Sequence, residues 1–372
     1  MWLSRRRFLG AGLSLLALPR VGRAMSDVVD PYFPTLEALD DSLRRFSISP
    51  ADKRMLLGLA RPTAILSSAA MPDADIPLGQ GKIGGAPDIP PGMIWPEREG
   101  YAAADNWAER AAEARKNKKF TKEIVEEYET KAVLAARPAP LIFLMQIDLA
   151  ACAAAGPMDL DIPKTGRLLL FYDFVFDPGF GEQEQEKAFR LIYLSDEAQK
   201  LERRVIPDFG LSVWGDLLPP EQREGEARQQ AQQLPPALIH PKFTYTLPHF
   251  HSYPMMVNYP YPEDMPHLAW YDRLQWPMND GCQLFGWPEL VQYSPAIDLG
   301  MEDVNAPHYY DLRFIPQIRQ LAKPIANWIP LVSIMYYDND SVDFNGGYYV
   351  MIRRTDLRNG DFSKAVIVFQ TD

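Results

Sequence analysis

Cysteine and histidine are both scarce in this chain. Two Cys and five His among 372 residues leave little material for a metal cluster or a disulfide scaffold. Cys152 and Cys282 are 130 positions apart, which fits no zinc or redox spacing; one disulfide and two buried thiols are both compatible with them. No apolar run approaches the ~20 residues of a membrane-spanning helix. Basic charge is also in short supply, with 38 Lys plus Arg against 49 Asp plus Glu and a net of -11. A surface of that sign repels nucleic acid and anionic headgroups, so neither is an expected partner. An apolar share of 47% excludes a disordered chain. Proline is the one abundance, at 34 residues without a fixed period, and it predicts many rigid loops rather than a fibrous or low-complexity chain.

Residues 1–24 read as an export leader. Ser4-Arg5-Arg6-Arg7-Phe8-Leu9 fits the twin-arginine pattern, with Arg5, Arg6, Phe8 and Leu9 as its signal residues. A short apolar stretch to Leu18 follows, and Gly22 and Ala24 supply the small residues of a cleavage site. The pathway carries folded proteins, so the expectation is a soluble protein that works in the periplasm or otherwise outside the cytoplasm. The leader holds five arginines and no acids; without it 33 basic residues face 49 acidic ones, a net of -16. The remainder, 25–372, reads as one domain.

Along that remainder, Thr35 and Ser49-Pro50 mark two helix starts and residues 64–68 a strand. Gly79, Gly81 and Gly84 spell the dinucleotide fingerprint, but Pro87, Pro90 and Pro91 forbid the helix it needs. Residues 100–136, rich in Ala, Glu, Lys and Arg, predict an exposed helical insertion whose charges form a solvated face. The apolar runs 141–149, 166–173 and 189–194 predict strands. Residues 241–277, dense in His, Tyr, Trp and Pro, are expected to form a long structured loop.

The two halves of the chain repeat each other in order. Pro140 to Asp148 aligns on Pro330 to Asp338 at an offset of 190, Gly85-Ala-Pro87 on Gly286-Trp-Pro288 at 201, and Gly166 to Phe171 on Gly347 to Ile352 at 181. Slowly shrinking offsets are what a duplication with loop insertions predicts, with half-repeats at about 84–173 and 285–354. Gly84-Gly85-x-Pro87-x-x-Pro90 before Trp95-Pro96, the Pro-Leu-x-Phe-Leu-x-Gln-Ile-Asp-Leu run at 140–149, Phe285-Gly-Trp-Pro-Glu-Leu-Val-Gln292 and the closing Asp356-Leu357 together resemble the YwqG-like family, a bacterial domain of unknown function. Tyr336 departs from the pattern, which leads one to expect a second Gln in the last Leu-rich strand. The resemblance implies a duplicated α+β fold with mixed β-sheets and peripheral helices, and no activity.

Three sets of residues are candidates for chemistry. Asp148 and Asp338 occupy matching strand ends, and a pseudo-twofold could join them as a carboxylate pair for hydrolysis; the alternative is that each caps the turn after its strand. His249 and His251 would point two imidazoles one way as metal ligands, with His240 or His267 as a third. Tyr253, Tyr259, Tyr261, Trp270 and Tyr271 supply rigid aromatic area for a binding face, whereas Trp276 and Trp287, each followed by Pro, are expected in the core. No cofactor motif survives its context, so no cofactor is expected. The favoured reading is a non-catalytic binding or protein-interaction module with a protein or small-molecule partner.

Overall fold

The computed structural model describes residues 28–102, 104–176, 185–195, 200–259, 261–277, 280–307, 315–337 and 342–371. Arg5, Arg6, Phe8, Leu9 and Asp338 lie outside them. Thr35 Oγ1 accepts the Ala38 N–H at 3.1 Å and opens α1 (Leu36–Leu43), and Ser49 Oγ accepts the Asp52 N–H at 3.1 Å and opens α2 (Pro50–Leu59), with Pro50 at the first helical position. The chain continues through β1 (Arg61–Ala70), β2 (Lys82–Ile83), β3 (Asp88–Ile89), β4 (Glu97–Arg98), α3 (Ala104–Lys116), α4 (Lys122–Ala135), β5 (Ala139–Pro140) and β6 (Ile142–Asp148). Then come α5 (Leu149–Ala155), β7 (Arg167–Tyr172), β8 (Phe189–Leu194), β9 (Glu202–Arg203) and α6 (Gly225–Ala231). The remainder is β10 (Ala237–Thr246), α7 (Tyr253–Asn258), α8 (Leu268–Tyr271), β11 (Cys282–Leu284), α9 (Pro295–Glu302), α10 (Ile315–Gln320), α11 (Ala322–Asn327), β12 (Trp328–Tyr337), β13 (Val342–Arg353), α12 (Arg354–Arg358) and β14 (Val366–Gln370).

Ten of these strands form one sheet in the order β14-β13-β12-β11-β1-β10-β2-β6-β7-β8. Every ladder in it is antiparallel, not mixed as expected. The reason is connectivity: β6, β7 and β8 neighbour one another in sequence order, as do β12, β13 and β14, without the crossover that parallel pairing requires. Residues 241–246, expected in a loop, belong to β10 and pair with β1 at the centre of the sheet. Pro241 is tolerated there because the Ile239 N–H points to Gly81 on the β2 side, and two residues further on that side β2 has already ended.

Outward from the β1·β10 pair the sheet is built alike in both directions. A short strand comes next, Ile83 of β2 pairing with Ala237 and Leu284 of β11 with Ala64. Each then meets a long strand whose ladder skips a residue near its start, Leu144 in β6 and Leu331 in β12, which skips a second at Met335. Leu144 and Leu331 both give their carbonyl to the next turn, to Gly84 N at 2.9 Å and to Phe285 N at 2.9 Å. Leu144 and Leu331 are 187 positions apart, three fewer than the 190 at which the sequences align. At that spacing Asp148 falls on Met335 rather than on Asp338.

The sheet curls until its two ends nearly meet. Tyr172 of β7 and Tyr348 of β13 approach to 5.3 Å between ring centroids, and the Gln185 amide donates to the Ile367 carbonyl. The enclosed face is the main core, in which Phe143 and Ile334 are 2% and 0% exposed. Burying side chains of this size stabilises by about 1.5–3 kcal/mol each. The opposite face is covered over β12, β13 and β14 by α7, α9, α10 and α11, and beside β10 by α1, α2 and Trp270. As expected, α3 and α4 form an exposed hairpin laced by surface pairs such as Arg115–Glu129 at 2.7 Å. Among the described residues no helix is long and apolar enough to cross a membrane.

Candidate functional site

The backbone after β11 sets the site. Phe285 and Gly286 both adopt positive φ, 60° and 77°, as Gly84 and Gly85 do after β2 at 63° and 66°. At Gly286 nothing larger fits, since a Cβ would lie 1.8 Å from Thr63 Oγ1. The turn places Trp287 across the ends of β1 and β10. Its backbone N–H donates to Thr246 Oγ1 at 2.8 Å, its indole N–H to the Leu59 carbonyl at 2.7 Å, and the Arg61 guanidinium carbon lies 3.5 Å from its ring centroid. Trp287 thereby lines two cavities, one polar and one apolar.

The polar cavity measures about 40 Å³, room for roughly three waters. Trp270 and Tyr271 of α8, Tyr245 of β10, Trp276 and Trp287 make its aromatic wall; Gln283 of β11 and Ser333 and Tyr336 of β12 make its sheet side; Asp280 and Glu289 add two carboxylates. The Asp280 side chain is wholly buried. It accepts from the Tyr32 hydroxyl through Oδ2, while Oδ1 has no hydrogen-bond partner and stands 3.6 Å from the Lys242 ammonium. Burial pushes its pKa up to about 6. Ser333 Oγ is likewise buried and unbonded. Glu289 keeps solvent contact, yet the surrounding protein still raises its carboxyl above the ordinary range by desolvation. The Tyr271 phenol is raised by burial first and then by the charge of Glu289.

The matching positions beside β2 and β6 are filled instead. Lys82 pairs across the ladder with Gln146, as Gln283 does with Ser333, and Asp88 falls three residues past its left-handed pair, as Glu289 does. Lys82 is wholly buried and bonds Asp73 at 3.0 Å and Asp88 at 3.4 Å; Arg203 reaches Asp88 at 2.9 Å, and Gln146 Oε1 accepts from the Asp88 N–H at 3.1 Å. Burial lowers the Lys82 pKa, with the two aspartates opposing it. At Asp88 burial acts to raise the pKa, but the Arg203 hydrogen bond, the Lys82 charge and the Gly79 N–H together bring it below the usual range. This cluster satisfies itself and leaves nothing to offer a ligand.

The residues singled out from sequence scatter around these features. Trp270 and Tyr271 line the polar cavity, and Tyr253 lines the apolar one. Tyr259 gives its hydroxyl to Asp52 at 3.1 Å, and Tyr261 is exposed. Trp276 and Trp287, expected in the core, stand on cavity walls instead, because the left-handed turn and the loop before β11 hold their rings at the surface. Asp148 caps α5, accepting from the Ala150 and Ala151 N–H groups at 3.0 and 3.3 Å. His249 and His251 approach to 5.2 Å between rings, and His267 donates Nε2–H to the Pro248 carbonyl at 3.1 Å. Burial, then the neighbouring His251 and His267 charges, lower the His249 pKa to about 3; burial lowers His267 to about 4 against the Pro248 bond. Among the described residues no three His, Cys, Asp or Glu side chains gather where they could hold a metal ion. Cys152 and Cys282 are free, buried thiols. Asp280, Ser333 and Glu289 escaped the sequence reading, and only the Gly-Trp-Pro after an apolar strand signalled that region.

In comparison with known proteins, the family described as "Domain of unknown function (DUF1963)" matches residues 81–371. No curated protein matches the chain.

Proposed function

Since the chain belongs to a family described as a domain of unknown function (DUF1963), its role has to be argued from its own site, and we propose that it is an exported, non-catalytic binding protein whose polar cavity receives a primary ammonium head. One observation carries this reading: a buried carboxylate oxygen and a buried hydroxyl, Asp280 Oδ1 and Ser333 Oγ, accept no hydrogen bond around a single aromatic-walled cavity, Oδ1 having only the ion-pair contact with Lys242 at 3.6 Å. Buried acceptors without a hydrogen bond are costly and rare, and a ligand carrying donors removes the cost. An alkylammonium offers three N–H donors to Asp280, Ser333 and Glu289, and its charge suits the aromatic faces.

The finer resemblance to the YwqG-like family and the internal duplication belong to the same proposal. The duplication is supported by the matched bulges at Leu144 and Leu331, the matched left-handed pairs and the matched strand order. Ala64 corresponds to Ala237 and Ser67 to His240 at one offset, 173, and Ser67 and His240 face each other, as they must if a twofold axis passes between them. One copy is plugged by Lys82, Asp88 and Arg203; the other has kept its cavity. The paired-carboxylate alternative retains only Asp148 within the described residues, engaged as a helix cap, and the metal alternative retains a ring-packed histidine pair. Neither accounts for the cavity.

Calorimetry with n-butylammonium and n-butanol tests the binding reading. The cation is expected to bind at least tenfold more tightly than the alcohol, and Asp280→Asn to abolish that preference. Equal affinity for the two ligands in the unaltered protein sinks the assignment.

A further inference from the structure

We propose that the apolar cavity is a second, independent binding site, for an apolar monocarboxylate such as a medium-chain fatty acid, with Arg61 holding the carboxylate. The cavity lies between α9 and α11 and the outer face of β12 and β13, and its volume is about 290 Å³, on the same scale as the polar cavity space for roughly twenty waters. An eight-carbon carboxylate fits within it. Its walls are mainly apolar, with Leu290, Ala296, Ile325, Trp328 and Met351 among them beside Ser252 and Ser294, and among the described residues the one charged residue lining it is Arg61.

Arg61 is an unusual cation. Its guanidinium stacks on Trp287 at 3.5 Å, and among the described residues no acceptor takes a hydrogen bond from it and no carboxylate comes within ion-pair distance. The neighbouring acid, Asp159, is already bonded to Arg354 at 2.6 Å. Arginines in comparable settings nearby are paired: Arg353, stacked on Trp328 at 4.2 Å, holds Asp303 at 2.5 Å. Burial, then the Arg354 charge, draw the Arg61 pKa down to about 10, with Asp159 opposing. It remains charged at neutral pH and incompletely compensated. A planar fork of five donors beside an apolar cavity matches a carboxylate with an aliphatic tail, the carboxylate accepting from the fork and the tail displacing water from the walls.

Calorimetry on the full chain with octanoate, 1-octanol and acetate decides the matter. Octanoate is expected to bind one to one, at least tenfold more tightly than either of the others, since each lacks one of the two features recognised. Arg61→Met should erase the preference for octanoate over octanol, Arg61→Lys should keep most of it, and Asp280→Asn should leave it unchanged, which separates this site from the ammonium cavity. If Arg61→Met does not fold, Ala326→Glu supplies the same test from an exposed position on the lining: its added negative charge should weaken octanoate severalfold and spare octanol. Octanoate no tighter than octanol in the unaltered protein, or a preference that survives in whichever of these two variants folds, overturns the proposal.

Discussion

Asp280 is where titration and ligand binding meet. A carboxyl with its pKa raised to about 6 is ionised at neutral pH and loses its charge as the solution is acidified through that value. Affinity for n-butylammonium is therefore expected to hold between pH 7 and 8 and to fall towards tenfold per unit below about 6. An affinity that stays flat down to pH 4.5 would remove Asp280 from the site. His249 and His267 act on stability instead. Their folded pKa values, about 3 and about 4, lie below that of an unfolded histidine at about 6.5. As pH falls from 6.5 the unfolded chain takes up protons that the folded one refuses, so stability is lost at about 1.4 kcal/mol per histidine per pH unit, down to the folded values. Asp280 works in the opposite sense between about 4 and 6, and the two histidines outweigh it. Urea unfolding at pH 7.0 and 5.0 should show this loss, and His267→Gln, which leaves one histidine set against Asp280, should remove about three quarters of it. An unchanged slope in that variant would mean that His267 is charged in the folded protein.

At the scale of elements, the turns after β2 and β11 matter more than their length suggests. Gly286→Ala forces a methyl onto Thr63 Oγ1 at positive φ and should cost about 2–4 kcal/mol, with disturbed Trp287 fluorescence. Gly92→Ala, at φ 83° but with nothing within 4 Å of its Cβ, isolates the backbone term and should cost only about 1–2 kcal/mol. Equal costs for the two would deny the close approach at Gly286. The α3–α4 hairpin offers the opposite contrast. Tyr101 N bonds the Ala135 carbonyl at 2.8 Å, so its ends already meet, while Arg98 and Tyr101 anchor Asp173 beneath it. Replacing residues 104–133 by a short linker should leave a folded protein with a modest loss. Phe143→Ala, which opens a hole in the main core, should cost about 3–5 kcal/mol. Thermal unfolding of both variants tests the ranking, and a deletion that costs more than Phe143→Ala reverses it.

The molecule as a whole carries one further expectation, its export. Changing Arg5 and Arg6 to Lys should leave full-length protein in the cytoplasm, as fractionation of cells would show; a mature protein that still reached the periplasm without a twin-arginine translocase would refute the assignment. Within the fold, helix starts at Thr35 and Ser49, the hairpin at 100–136 and the strands at 141–149, 166–173 and 189–194 were legible because each rests on residues adjacent in the chain: a cap, a composition shift, an apolar run. Strand β10 was not, since Pro241 and its aromatic neighbours read as loop unless one knows that β2 stops short of them. The proposed repeat reads at an offset of 190 because identical letters at strand ends are what a sequence displays, whereas the bulged residues Leu144 and Leu331 are 187 positions apart, a spacing that only the ladders reveal.

Charge sign, the scarcity of ligating residues, the strands and most helices follow from the sequence by itself, since they depend on composition and on contacts within a few residues. The cavities do not. Tyr32, Lys242 and Asp280 come together from three distant segments, as do Arg61 and Trp287. Only the closing of the sheet and the direction of the left-handed turn at Gly286 decide which polar atoms are left without partners. That is a property of where chains meet in space, which no local pattern encodes.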